Sequence, residues 1–161
     1  MGTPEKSEGP SSPDAQRFMK QLCVVYNLTG FDARYISVEH WLFTTGITDT
    51  GDAEGNSIDA GQSFKFEITY DTDPYDAAHW WWVDIEFDDE SCWLSWVGDL
   101  CNLETRDVTS GRPVYVILHP KNIGWSLTYP VSGACMKMPY RNFDLCSGAP
   151  TEEGRRRRRR P

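Results

Sequence analysis

No run of eighteen or more apolar residues occurs in the 161-residue chain, so no segment suits a membrane-crossing helix. Neither G-x-x-x-x-G-K-S/T nor G-x-G-x-x-G is present, which leaves no sequence basis for a nucleotide site. The G-x-S-x-G elbow is missing too. The three histidines, His40, His79 and His119, lie far apart, and no serine is recognisably paired with a base. The five cysteines never fall into C-x-x-C, and with so few histidines a zinc site is not expected. No helical period persists over three turns. The N-terminus is polar and lacks the h-region of a signal peptide. No cofactor is expected from any of this.

Charge narrows the partners. Residues 1–17 are Pro-, Ser-, Gly- and Glu-rich with little to bury and read as a disordered leader. Residues 150–161 form a second tail that ends in Arg155 to Arg160, a run of like charges that stays solvated and extended. Without those six arginines, Lys+Arg falls from 16 to 10 against 24 Asp+Glu, and the net charge moves from −8 to −14. Such a body repels phosphate backbones, so specific nucleic-acid binding by the folded part is not expected. The arginine run alone is the one segment suited to polyanions.

Between the tails, residues 18–149 read as one all-β domain, long enough to bury about two-thirds of its unfolded surface. Val24 to Leu28 is a short β run. Tyr35 to Thr44 alternates, with Ile36, Val38, His40 and Leu42 on one side and Tyr35, Ser37, Glu39, Trp41 and Phe43 on the other. Gly46 to Gly61 is rich in turn formers and reads as a long polar loop. Phe64, Phe66, Ile68 and Tyr70 mark a half-buried strand, expected to pair antiparallel with the strand at 80–87. Cys92 to Val97, Val114 to Leu118 and Ile123 to Tyr129 are further strands. Seven or more short strands at this spacing mean a single antiparallel β-barrel or β-sandwich.

The segment Trp80 to Glu90 carries the candidate site. Period two puts Trp81, Val83, Ile85 and Phe87 on an apolar face suited to a core. Trp80, Trp82, Asp84, Glu86 and Asp88 fall on the other face, expected to meet water. Two outward indoles beside carboxylates suit a glycan, an organic cation or a partner protein, so Trp80, Trp82, Asp84 and Glu86 are the candidate ligand-binding residues. Alternate carboxylates on one strand face stand about 7 Å apart, within the range of paired-carboxylate glycosidases. Asp84-Ile85-Glu86 is also similar to the acidic strand motif of jelly-roll endoglucanases, so a small glycan-acting hydrolase using Asp84 and Glu86 is the alternative reading. A solvated charged strand that discourages edge association is the plain one. Two acidic stretches, one with Asp49, Asp52, Glu54 and Asp59 and one with Asp71, Asp73 and Asp76, offer oxygen ligands for Ca²⁺ but without EF-hand spacing.

Five cysteines, seven tryptophans and the sequon Asn27-Leu28-Thr29 look like a secreted chain, against the missing h-region. Pairing four of five cysteines allows fifteen arrangements. Local pairing, Cys92 with Cys101 and Cys135 with Cys146, closes two short loops, each worth about 3 kcal/mol. Cys23 is then left near the leader, placed to bridge two chains into a homodimer, or it is a free or buried thiol.

One cysteine before a strand, followed by two local pairs in an all-β chain of this length, resembles the Alternaria major allergen family of small secreted fungal proteins. Val25-Tyr26-Asn27-Leu28-Thr29-Gly30-Phe31-Asp32-Ala33-Arg34 is similar to that family's strand-then-Phe opening. Cys135 through Asn142-Phe143-Asp144-Leu145-Cys146 is similar to its closing disulfide, with an aromatic just before the second cysteine. The resemblance implies a β-barrel, two intrachain disulfides, a dimer linked through the N-terminal cysteine, secretion, no catalytic site, and roles in host interaction or small-ligand binding. The missing signal peptide, the shorter first disulfide loop, the Trp80–Trp82 cluster and the arginine tail depart from it. The expectation is therefore a non-catalytic, extracellular binding or host-interaction protein, of allergen or effector type. Its partner would be a host protein, a glycan or a small molecule.

Overall fold

The computed structural model describes residues 17–43, 46–71, 78–89, 91–94, 99–102, 104–120, 123–135 and 143–145. Both tails expected to be disordered fall outside these residues, apart from Arg17. Among the described residues the chain order is β1 (Phe18–Asn27), β2 (Ala33–Leu42), β3 (Ile47–Ile58), β4 (Ser63–Asp71), β5 (His79–Phe87), β6 (Ser91–Leu94), β7 (Asp99–Leu100), α1 (Thr105–Thr109), β8 (Val114–Leu118), β9 (Trp125–Tyr129), β10 (Gly133–Ala134) and β11 (Phe143–Leu145).

Two sheets result. The first runs β10-β9-β8-β1-β4 and the second β11-β6-β5-β2-β3, with β7 pairing β5 alongside. Pairing is antiparallel except between β1 and β8, which run parallel. Alternation sends one face of each sheet into a shared interior. Cys23 and Val25 of β1, Ile68 and Tyr70 of β4, Val116 of β8 and Leu127 of β9 meet Ile36 and Val38 of β2 and Trp81, Val83, Ile85 and Phe87 of β5. This is a sandwich-like all-β fold. Each large apolar side chain buried there contributes roughly 1.5–3 kcal/mol.

Three expectations are corrected. The stretch Gly46 to Gly61 is not a loop but the edge strand β3, paired with β2 from Leu42↔Ile47 to Ala33↔Ile58. Its turn-forming residues have specific employment. A Cβ on Gly51 would overlap the Phe66 ring, so glycine lets the two sheets approach there. Asp49 accepts a hydrogen bond from the Thr69 backbone N–H at 2.6 Å and from the Thr69 hydroxyl at 3.0 Å, joining the edge strand of the second sheet to that of the first. Second, β4 and β5 do not form a hairpin: β4 pairs with β1, and β5 pairs with β2. Third, the first strand begins at Phe18. Arg17, read as the last residue of the leader, instead grips Asp71 with two guanidinium nitrogens at 2.9–3.1 Å.

The cysteines also pair differently. Cys101 is bonded to Cys135 with Cα atoms 6.3 Å apart, so neither Cys92–Cys101 nor Cys135–Cys146 forms. Cys92 is disulfide-bonded as well, and Cys146 lies outside the described residues. Cys23 is a free thiol at 0 % exposure within the core. Burial pushes its thiol far above the ordinary range, so it is a packing residue rather than an interchain bridge. Asn27 of the sequon is likewise fully buried, its Nδ2 donating to the carbonyls of Phe31 and Ile58 at 2.9 Å. The sequon therefore builds the β1–β2 turn and offers no surface amide.

The helix α1 is held by a single buried acid. Asp107 accepts from the backbone N–H groups of Val131, Ser132 and Glu104 and from the Ser132 hydroxyl, at 2.6–3.0 Å. Burial alone would raise its pKa, but these four hydrogen bonds outweigh burial and hold it below the ordinary carboxylate value.

Candidate functional site

The central strand of the second sheet, β5, divides as alternation requires on its inner side. Trp81, Val83 and Ile85 are 0 % exposed and Phe87 is 1 % exposed, all in the core. The other face departs from the expectation of an open acidic row. Trp82, Asp84 and Glu86 are buried and Trp80 is half-buried, while Asp88 alone of the row is exposed. The reason is position. The strand lies between β2 on one side and β6 with β7 on the other, so its outward side chains have neighbours on both flanks.

Register identifies those neighbours. Trp41 lies opposite Trp80, Glu39 opposite Trp82, Ser37 opposite Asp84 and Tyr35 opposite Glu86. Directly opposed residues of an antiparallel pair share a face, so β2 and β5 together present an aromatic end and an acidic end. At the acidic end a bulge between Ala33 and Tyr35 inserts Arg34 as an extra residue. Without the bulge, alternation from Ile36 would bring Arg34 to the inner face. With it, Ala33 occupies the core and Arg34 forms an ion pair with Glu86.

That pairing makes Glu86 a structural carboxylate. Arg34→Met is expected to lower stability by about 2 kcal/mol, less than for a fully buried pair because the Arg34 side chain is 43 % exposed. Urea unfolding of Arg34→Met beside the double variant Arg34→Met/Glu86→Leu tests this. The double variant is expected to recover most of the loss, because no unpaired charge is left behind.

At the aromatic end the face is open. Trp41 packs edge-on against Phe43 with ring centroids 5.2 Å apart and tilts toward Trp82 at 6.0 Å. Phe43 is 56 % exposed, and Leu100, opposite Trp80 on β7, is 54 % exposed. Trp41 and Trp80 are half-buried. Trp41 of β2, Phe43 just after it, Trp80 of β5 and Leu100 of β7 thus gather at one end of this face, next to the buried Trp82. Of the residues singled out by sequence, Trp80 lines this surface and Trp82 lies next to it on the same face, buried and in ring contact with Trp41, whereas Asp84 and Glu86 belong to its buried acidic flank. Trp41, Phe43 and Leu100 were missed as site residues. The alternation of β2 carried a signal for the first two, since it sets Trp41 and Phe43 on the face opposite Ile36, Val38 and Leu42.

Of the two acidic stretches read as possible Ca²⁺ ligands, Asp73 and Asp76 lie outside the described residues. Asp49 is spent on Thr69 and on Lys20, and Asp71 on Arg17. Among the described residues no three His, Cys, Asp or Glu side chains are arranged to hold a metal ion. No described helix is long and apolar enough to cross a membrane. No protein-family model matches the chain, and no curated protein matches it.

Proposed function

We propose that the chain is a secreted, non-catalytic binding protein that takes a glycan on the aromatic face formed by Trp41, Phe43, Trp80 and Leu100. One observation carries the reading: half-open indoles on adjacent strands, Trp41 opposite Trp80, with exposed Phe43 and Leu100 beside them. A pyranose ring offers axial C–H groups to an aromatic face, and neighbouring indoles on a rigid sheet are already positioned for successive rings. Exposed aromatics of this kind are the usual anchors of a recognition surface. Disulfide bonding at Cys101–Cys135 and at Cys92 supports an oxidising, extracellular setting.

The rival reading, hydrolysis by Asp84 and Glu86, has less support. Asp84 is 2 % and Glu86 5 % exposed, and Glu86 is engaged by Arg34, so neither has open room for an attacking water.

Calorimetric titration with soluble oligosaccharides tests the proposal. Trp41→Ala and Trp80→Ala are each expected to weaken binding by roughly tenfold or more, the loss of a typical aromatic anchor. Asp84→Asn and Glu86→Gln should leave affinity within a few-fold. Unchanged affinity in both tryptophan variants, with the fold retained, would remove this surface from recognition. Release of shortened sugars that stops in Glu86→Gln would favour the hydrolase.

A further inference from the structure

Behind the aromatic face, on the inner side of the same strands, lies a buried pair of imidazoles that the binding reading does not use. His40 Nε2 is 2.7 Å from His79 Nδ1, and both residues are 0 % exposed. His40 Nδ1 lies 3.3 Å from Asp49 Oδ2 on β3. His79 stacks on Tyr70 of β4 with ring planes 10° apart, and the Trp81 ring is 4.6 Å from that of His40. Among the described residues His79 Nε2 is buried with no hydrogen-bond partner. The charged groups around the pair are Asp49 on β3, Asp71 on β4 held by Arg17, and Lys20 on β1 held by Asp49 and Thr69.

The proton count follows from these contacts. Only one proton fits between two nitrogens 2.7 Å apart. With His40 Nδ1–H donating to Asp49, His40 Nε2 must accept, so His79 donates its Nδ1–H and keeps a bare lone pair at Nε2. A first added proton places an N–H on that partnerless nitrogen, whichever ring carries the charge. A second added proton makes both facing nitrogens donors, and the contact cannot survive.

We infer that the His40–His79 pair is an acid-sensitive latch: neutral, it closes the seam between β2–β5 and β4, and proton uptake forces that end of the sandwich open. Burial first, and then the neighbouring ring, depresses His79 from 6.5 to about 3, against a smaller opposing effect of Asp71. His40 is lowered too, by burial above all, although Asp49 opposes it. The sign is set by the depressed folded values of two bases. Above the unfolded value of 6.5 neither state binds the proton and the latch contributes in full. As pH falls from 6.5 toward 3 the open state binds more protons, and the contribution is lost. Trp41 and Trp80 are the chain neighbours of His40 and His79, so opening disturbs the aromatic face as well.

The test is the urea midpoint as a function of pH for the wild-type protein and for His79→Phe, which keeps a flat ring on Tyr70 but carries no nitrogen. The wild-type midpoint is expected to fall steadily from pH 6.5 to 4, and that of the variant to fall less than half as much. Equal losses would overturn the latch. Should the variant not fold, the imidazole C2–H signals of the wild-type protein decide. Signals of His40 and His79 that hold their neutral positions until opening begins support it. Titration of both at an ordinary imidazole value in the still-closed protein overturns it.

Discussion

Trp81→Ala is expected to destabilise the protein by about 4 kcal/mol, in the upper part of the range for large core truncations. Trp81 is fully buried, packs on His40, and donates from Nε1 to the Cys101 carbonyl at 3.3 Å. Tyr129 donates to the same carbonyl at 2.7 Å, and the Cys101 N–H donates to the His79 carbonyl at 2.9 Å. Removing the indole therefore opens a cavity at the point where β5, β9 and the disulfide meet, and it removes one of the two hydrogen bonds to the buried Cys101 carbonyl, leaving that from Tyr129. Trp81→Phe keeps most of the volume and loses only the hydrogen bond, so less than half of that loss is expected. Urea unfolding measures both. A loss below about 1.5 kcal/mol for the alanine variant would mean that the site collapses and that Trp81 is not central to the core.

The second large effect belongs to Cys101–Cys135. This bond joins residues 34 apart in sequence, a loop whose closure removes about 4 kcal/mol of unfolded-state freedom on the chain-entropy account. Cys101→Ser/Cys135→Ser should lower stability by that order. Cys23→Ser, which leaves every disulfide in place, should lower it less, because it only puts a hydroxyl in an apolar site. The first change touches the carbonyl that Trp81 and Tyr129 share, so combining it with Trp81→Ala should give less than the sum. A serine pair as stable as the parent would leave the crosslink no stabilising part.

The contrast between what sequence alone conveys and what the fold adds is sharpest along β5. Strict alternation of Trp81, Val83, Ile85 and Phe87 located the inner face without ambiguity, because one face of a two-layer fold must be apolar. Nothing in that segment says whether the other face meets water. That depends on which strands lie to either side, and the partner β2 is separated from it by two intervening strands. Proximity in sequence misled in the same way elsewhere. The strand after β4 resembled a hairpin partner, yet consecutive strands of a sandwich often pass to the opposite sheet. The cysteines favoured short loops for the same local reason, whereas the β5–β7 and β9–β10 pairings bring Cys101 and Cys135 together. Strand β3 was hidden by its own chemistry: Gly51 serves a close approach and Asp49 serves the neighbouring edge, and neither residue type favours a strand. His40 was legible as sharing a face with Ile36, Val38 and Leu42, but its contact with His79 arises only from the diagonal register of β2 and β5.

The most direct measurement of the account is a nitrogen–proton correlation spectrum, following the indole N–H signals as an oligosaccharide is added. Shifts confined to Trp41 and Trp80, with Trp81 and Trp125 still, are the predicted result. Shifts mapping to the opposite sheet, or none while binding occurs, would contradict it.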